Sequence, residues 1–250
     1  MSSDDDLIWG IHAVLGLLRD QPRRIRDITI QKGKSSPKLQ EIIDLARTHQ
    51  LRLRFETRLR FPDGTGKVNH QGVMAKMQRV ATVSLDDLLA DLAEHAEPPI
   101  LLALDSIQDP HNLGAIIRSA AAVGVTAILL PKDRSAPLSG TVAKVAVGAM
   151  AHVTICMVTN LVSSLKQLQE QGFWVFGAAG EANHTLYEAD FGGKVCLVVG
   201  GEGKGMRPLV RSQCDHLVSI PMQHGLESLN ASVATGVILF EMMRQRSQVK

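Results

Sequence analysis

The chain has 250 residues, 45% apolar and 21% charged, enough for one large or two modest packed domains, so disorder is not its default state. Its formal net charge of +2 conceals an asymmetry: residues 19–79 hold 15 Lys and Arg against 6 Asp and Glu, whereas residues 80–250 hold 12 against 16. Cationic charge concentrated in one segment favours a polyanion through phosphate neutralisation, with a merely solvated basic face as the competing explanation.

The chain opens on Met1-Ser2-Ser3-Asp4-Asp5-Asp6, polar and acidic, unlike a secretory signal. Residues 1–79 read as a small α/β unit. Ile11 to Leu18 is an apolar helical stretch, and Asp27-Ile28-Thr29-Ile30 is a short strand. Lys38 to His49 carries Leu39, Ile42, Ile43 and Ala46 near helical spacing. Leu51 to Phe55 alternates with period two, as a half-buried strand does. Asp63-Gly64-Thr65-Gly66 marks a loop, and Gly72 to Ala75 closes a small sheet. Arg52, Arg54, Arg58 and Arg60 alternate along and beyond the strand, which makes one sheet face cationic: an RNA-docking face, or an edge guarded by charge. Residues 80–98 read as a linker, with Ser84 capping a short helix through Leu85, Leu88 and Leu89 before Glu97-Pro98-Pro99 breaks it.

Residues 99–250 alternate strand and helix. Strands are expected at Ile100–Leu104, Ala127–Leu130, Val153–Met157, Phe173–Phe176, Val195–Val199 and Leu217–Ile220. Helices are expected at Asn112–Val123, Thr141–Met150, Leu161–Gln171 and Ser228–Arg246. Near-continuous apolar strands separated by helices indicate a parallel sheet covered on both faces. Residues 145–165 carry no Asp, Glu, Lys or Arg, yet His152, Thr154, Thr159, Asn160, Ser163 and Ser164 interrupt them, which argues against a membrane span. Cys156, Cys196 and Cys214 lack metal-ligand or redox spacing and suit reduced thiols in a cytoplasmic protein.

Three segments carry chemistry. In the first, a buried strand ends at Asp105 and a polar loop leads into Asn112-Leu113-Gly114-Ala115-Ile116-Ile117-Arg118, at the sheet edge where parallel folds bind ligands. Asn112 is a helix cap in the plain reading; Arg118, among small apolar residues, is either paired or turned toward a polyanion. In the second, Gly200-Gly201-Glu202-Gly203-Lys204-Gly205, glycines let backbone groups approach a ligand closely. It lacks the Lys-Ser/Thr of a phosphate loop and the spacing of a dinucleotide fingerprint, which disfavours a nicotinamide oxidoreductase. In the third, Ile220-Pro221-Met222 precedes Ser228-Leu229-Asn230-Ala231-Ser232, which has more polar groups at a helix entry than one cap requires.

Together, in this order and spacing, the segments resemble the three motifs of the SpoU/TrmH RNA 2′-O-ribose methyltransferases, over roughly residues 100–245. The N-terminal part is similar to the L30e-like RNA-binding domain of many members, with Trp9-Gly10-Ile11-His12-Ala13-Val14 and His70-Gln71-Gly72-Val73 resembling its ends. The resemblance implies an α/β fold: an L30e-like substrate-binding domain at 1–79, a linker at 80–98, and a SPOUT parallel-sheet domain at 99–250 with a trefoil knot. It implies S-adenosyl-L-methionine (SAM) as cofactor, no metal, a homodimer with sites at the interface, and no membrane. Gly200, Gly201, Gly205, Ile220, Met222 and Leu229 match its cofactor-binding positions, and Asn112, Arg118, Glu202, Ser228, Asn230 and Ser232 its catalytic ones. Glu202 is expected to orient Arg118 as a charge-assisted pair. The implied substrate is a guanosine in the peptidyl-transferase P loop of 23S rRNA; a tRNA ribose and a non-catalytic role in ribosome assembly are the alternatives.

Overall fold

The computed structural model describes residues 7–20, 22–61, 69–77, 81–95, 97–146, 148–224 and 228–248. The chain divides into two compact units, Met1–Val80 and Ala81–Lys250. The loop expected at Asp63–Gly66 lies outside the described residues.

In the first unit, β1 (Leu7–Trp9), β2 (Ile25–Gln31), β3 (Arg52–Glu56) and β4 (Val73–Met77) form a sheet in the order β1-β4-β2-β3. β2 and β3 are parallel; β4 runs antiparallel to β1 and β2. The helices α1 (Ile11–Asp20) and α2 (Pro37–Thr48) supply Val14, Leu18, Leu39, Ile42 and Ala46 to a core shared with Ile28, Ile30, Val73 and Ala75 of the strands. α2 starts where it does because the Ser36 hydroxyl accepts the Leu39 amide at 3.2 Å and Pro37 occupies the first turn, where its missing N–H costs nothing. Of the four alternating arginines, Arg54 is drawn to the buried Asp27, 3.6 Å away, while Arg52, Arg58 and Arg60 are exposed.

The second unit is an eight-stranded parallel sheet: β5 (Thr82–Val83), β6 (Ile100–Asp105), β7 (Ala127–Pro131), β8 (Thr154–Val158), β9 (Trp174–Ala178), β10 (His184–Thr185), β11 (Val195–Gly200) and β12 (His216–Ser219). Their spatial order is β10-β12-β9-β11-β6-β7-β8-β5. β6 and β7 are buried along their whole length, as a sheet covered on both faces requires. On one face α3 (Leu85–Leu92), α6 (Leu161–Glu170) and α7 (Pro208–Arg211) bring Leu88, Leu92, Leu161, Leu165, Leu168 and Val210 against the strands. The helix α4 (Pro110–Val123) packs against both α5 (Gly140–Ala146) and α8 (Ala231–Ser247).

Three boundaries differ from the sequence reading. Much of the segment expected as a linker is built into the second unit: β5 pairs with β8, and a Ser84–Asp87 capping box starts α3. A two-residue strand has no periodicity to read. The helix expected over Thr141–Met150 stops at Ala146, and a 3-10 turn follows Gly148, whose φ of 80° is left-handed and incompatible with continuing the helix. The last helix begins at Ala231 rather than Ser228, because Asn230 is its cap. Among the described residues, no helix is long and apolar enough to cross a membrane.

Candidate active site

Three loops meet at the carboxyl edge of the large sheet, those leaving β6, β11 and β12. β11 ends at Gly200, in register with Asp105 at the end of β6. The chain then curls back on itself, with the Gly205 amide donating to the Gly201 carbonyl at 3.0 Å. This turn tolerates little besides glycine. A Cβ at Gly200 would lie 2.1 Å from the Gly205 carbonyl carbon, and one at Gly201 would lie 2.2 Å from the Ser106 carbonyl oxygen. Ser106 itself is held at φ 65°, a left-handed conformation unusual for serine.

Asp105 locks this contact. Its carboxylate is fully buried and accepts the Arg207 amide and the Arg207 Nε, each at 2.7 Å. The carboxylate therefore staples the far end of the glycine loop to the strand that delivers the first segment. The sequence marks Asp105 only as the end of a strand and gives Arg207 no role. An aspartate ending an apolar strand hints at a role, but no local pattern names a partner 102 positions away.

A second set of contacts joins all three segments. Asn112 is buried in the first turn of α4, where Asp109, not Asn112, is the cap. Its side-chain nitrogen donates to Glu202 of the glycine loop, and its oxygen accepts from the Asn230 side-chain nitrogen at 3.0 Å. The Asn230 oxygen in turn accepts the Ser232 hydroxyl at 2.6 Å and the Ser232 amide at 2.9 Å. Each amide is thereby fixed in one orientation, donor outward on one side and acceptor on the other. The network carries a carboxylate at one end and a hydroxyl at the other.

Below it lies a cleft of about 880 Å³, within the range of small-molecule sites. The backbone of Gly200, Gly201 and Gly205 forms one wall, with Glu202 at the same side. Ile220, Met222, Ser228 and Leu229 also line the cleft. Glu181 and Arg211 also line it and pair with each other. The Glu181 carboxyl is held below the usual range, first by a backbone amide hydrogen bond and then by Arg211. Burial pushes the Cys214 thiol up to about 12 and the Cys156 thiol up to about 11, so neither supplies a thiolate nucleophile at neutral pH.

Arg118 is the predicted site residue that the chain does not bring into this network. It is exposed on α4, with no ion pair among the described residues, and Glu202 is engaged by Asn112 instead. The expected Glu202–Arg118 pair is therefore not formed among the described residues of one chain. Six residues along a helix rotate a side chain to about 120° from its starting direction, so Asn112 and Arg118 occupy different faces of α4. Exposure also removes the desolvation cost that had suggested a partner.

Residues 99–240 match the model of the SpoU rRNA Methylase family, and residues 7–82 match that of RNA 2'-O ribose methyltransferase substrate binding. The chain is 44% identical over 242 residues to the 23S rRNA (guanosine-2'-O-)-methyltransferase RlmB of Escherichia coli (strain K12), covering 97% of this chain and 99% of the relative. It is 45% identical over 244 residues to the protein of the same name from Pseudomonas aeruginosa, covering 97% and 98%. The crystal structure of the SpoU methyltransferase AviRb from Streptomyces viridochromogenes has the same fold, with a TM-score of 0.67 at 22% identity over 97% of this chain and 90% of that one. A parallel sheet whose carboxyl edge gathers the three motif segments and a full-length likeness to these enzymes lead to one conclusion: the chain belongs to the SpoU rRNA methylase family.

Proposed function

We propose that this protein transfers the methyl group of SAM to the ribose 2′-oxygen of a guanosine in 23S rRNA. The observation that carries the reading is the network from Glu202 through Asn112 to Asn230 and Ser232, set over a cleft with a glycine wall. The cleft suits SAM: glycine backbone for close approach, apolar Ile220 and Leu229 for the two faces of an adenine, and backbone groups for its edge. When bound, SAM supplies an electrophilic methyl on a sulfonium. The chain's own residues hold, orient and relieve the nucleophile. A ribose hydroxyl is a poor nucleophile until its proton is shared, and the Glu202–Asn112–Asn230 chain offers fixed acceptors and donors to position it. Arg118 is permanently cationic, which suits clamping the RNA phosphate and orienting the 2′-hydroxyl rather than removing its proton.

Arg118 stands outside the network of its own chain, which favours a homodimer in which a second copy completes the site. α8 presents Val233, Phe240 and Met243 to solvent at 50%, 48% and 38% exposure, at spacings of seven and three that fall on one helical face. The family resemblance implies a second copy with the sites at the interface, and this apolar face, on the helix that Asn230 caps at the site, is the surface we assign to it. Phe240→Glu is expected to yield a monomer in sedimentation and to lose methyl transfer; a monodisperse dimer would refute this interface. The resemblance also assigns a trefoil knot to the C-terminal part of the fold and the target to the P loop, in a cytoplasmic setting. The sheet order, with β11 inserted between β9 and β6, supports a non-sequential path through this region. Mapping 2′-O-methyl sites in total RNA from cells with and without the gene tests the substrate. One lost guanosine methylation in 23S rRNA is expected; loss only in tRNA, or none, would overturn it.

A further inference from the structure

We infer that the first unit holds one unstacked nucleotide of its single-stranded RNA in the cleft beside α2, the base against Phe55 and the phosphate on Lys32 and Lys34. This rests on RNA being the substrate and gives the docking unit a specific address. The cleft, about 360 Å³, lies between the β2–α2 connection, α2 and the end of β3. Phe55 and Ile43 line it, and Phe55 is 47% exposed. Strand alternation places Phe55 on the same face as Leu53, which packs on the core, so Phe55 continues an apolar surface out into solvent.

The charges beside it have one sign. Lys32 and Lys34 are exposed and have no acidic partner among the described residues, and no Asp or Glu occurs from 31 to 40. The next acid, Glu41, is engaged by Arg19, and Glu56 lies on the face of β3 opposite Phe55. Lys34 lines the cleft, and its stem is packed over Gly72, where a Cβ would lie 3.0 Å from Lys34 Cγ, which restricts the swing of the side chain. Gln31 at the cleft floor is fixed by donating to the Thr57 carbonyl at 3.2 Å. An aromatic face flanked by cations in a concavity fits a splayed-out base and its phosphate; a duplex, read across a wide shallow groove, has no use for the hollow. The arginine row on β3 lacks these features, since Arg54 is engaged by Asp27.

The test uses the full chain, a fluorescein-labelled single-stranded RNA of ~12 nucleotides read by anisotropy, and methyl transfer to 23S rRNA from cells lacking the gene. Phe55→Ala is expected to weaken RNA binding about tenfold and to raise the KM for rRNA in proportion, with the calorimetric affinity for SAM unchanged. Phe55→Tyr should restore binding and Phe55→Leu should not, which separates stacking from packing. Lys32→Ala with Lys34→Ala should lower the slope of log affinity against log salt by about 0.7, as loss of one neutralised phosphate requires. RNA binding at the native level in Phe55→Ala, or rescue by leucine equal to that by tyrosine, would overturn the inference. If the native chain methylates no ribose, the catalytic reading fails while the anisotropy series still decides the cleft.

Discussion

The Asp105–Arg207 contact gives the sharpest test of how the glycine loop is held. Asp105→Asn keeps the shape of the side chain and removes its charge. The native carboxylate has no solvent exposure and accepts two hydrogen bonds of 2.7 Å, one from a backbone amide and one from a guanidinium. Hydrogen bonds to a charged group are worth about 1.5–3 kcal/mol each, and the asparagine nitrogen would be forced to face one of the two donors. The Arg207 side chain is 38% exposed, so its bond belongs at the low end of that range. A loss of about 2–4 kcal/mol in unfolding free energy follows, measured by urea denaturation. If about 1.4 kcal/mol of that falls on the loop, SAM affinity drops tenfold by calorimetry. Arg207→Ala should do less alone, and the double variant should be less than additive by about 1–2 kcal/mol. An Asp105→Asn protein with native stability and native SAM affinity would refute the reasoning.

Three further outcomes are expected. Gly201→Ala should abolish SAM binding, because its Cβ meets the Ser106 backbone, whereas Gly203→Ala, with open space around it and a φ of 79°, should cost only about 1–2 kcal/mol of stability; calorimetry and urea midpoints check both. Asn112→Asp sets a second carboxylate against Glu202, so methyl transfer should fall sharply at neutral pH and recover in part as pH drops and the pair shares a proton, read from the pH–rate profile. The Arg244 hydrogen bonds, with Gln245, hold the Glu241 carboxyl down at about 2 from an ordinary 4.5. Its folded value lies below its unfolded one, so its contribution is complete above about pH 4.5 and lost as pH falls toward 2. Glu241→Gln should therefore flatten the acid limb of the urea midpoint against pH, and an unchanged limb would contradict the assignment.

The strands and helices that bury an apolar face were legible, because periodicity and apolar runs report burial directly: β6, β7, β11, α2 and α6 fall within a few residues of their expected spans. The short elements β1, β5, β10 and α7 carry too little pattern to be seen, whereas β12, equally short, shows as an apolar run. Within the site, Asn112, Glu202, Asn230 and Ser232 were legible as motif members, yet their partners were not, since Asn112 reaches 90 residues forward to Glu202 and 118 to Asn230. The Glu202–Arg118 pair is not formed within one chain, because Asn112 and Arg118 occupy different faces of α4, which charge complementarity alone does not reveal. Asp105 was visible only as the end of a strand. The lysine cleft on the first unit went unnoticed because the alternating arginines of β3 were the louder charge pattern, and their exposure does not distinguish a flat face from a hollow one.

The central claim is that the gathered glycine loop, α4 entry and α8 entry carry out methyl transfer to a ribose oxygen. Incubating the purified chain with methyl-labelled SAM and 23S rRNA lacking the modification, then digesting the RNA to nucleosides, tests it most directly. The label is predicted in 2′-O-methylguanosine and nowhere else. Label on a base, label on another nucleoside, or unlabelled RNA from protein that binds SAM would contradict it.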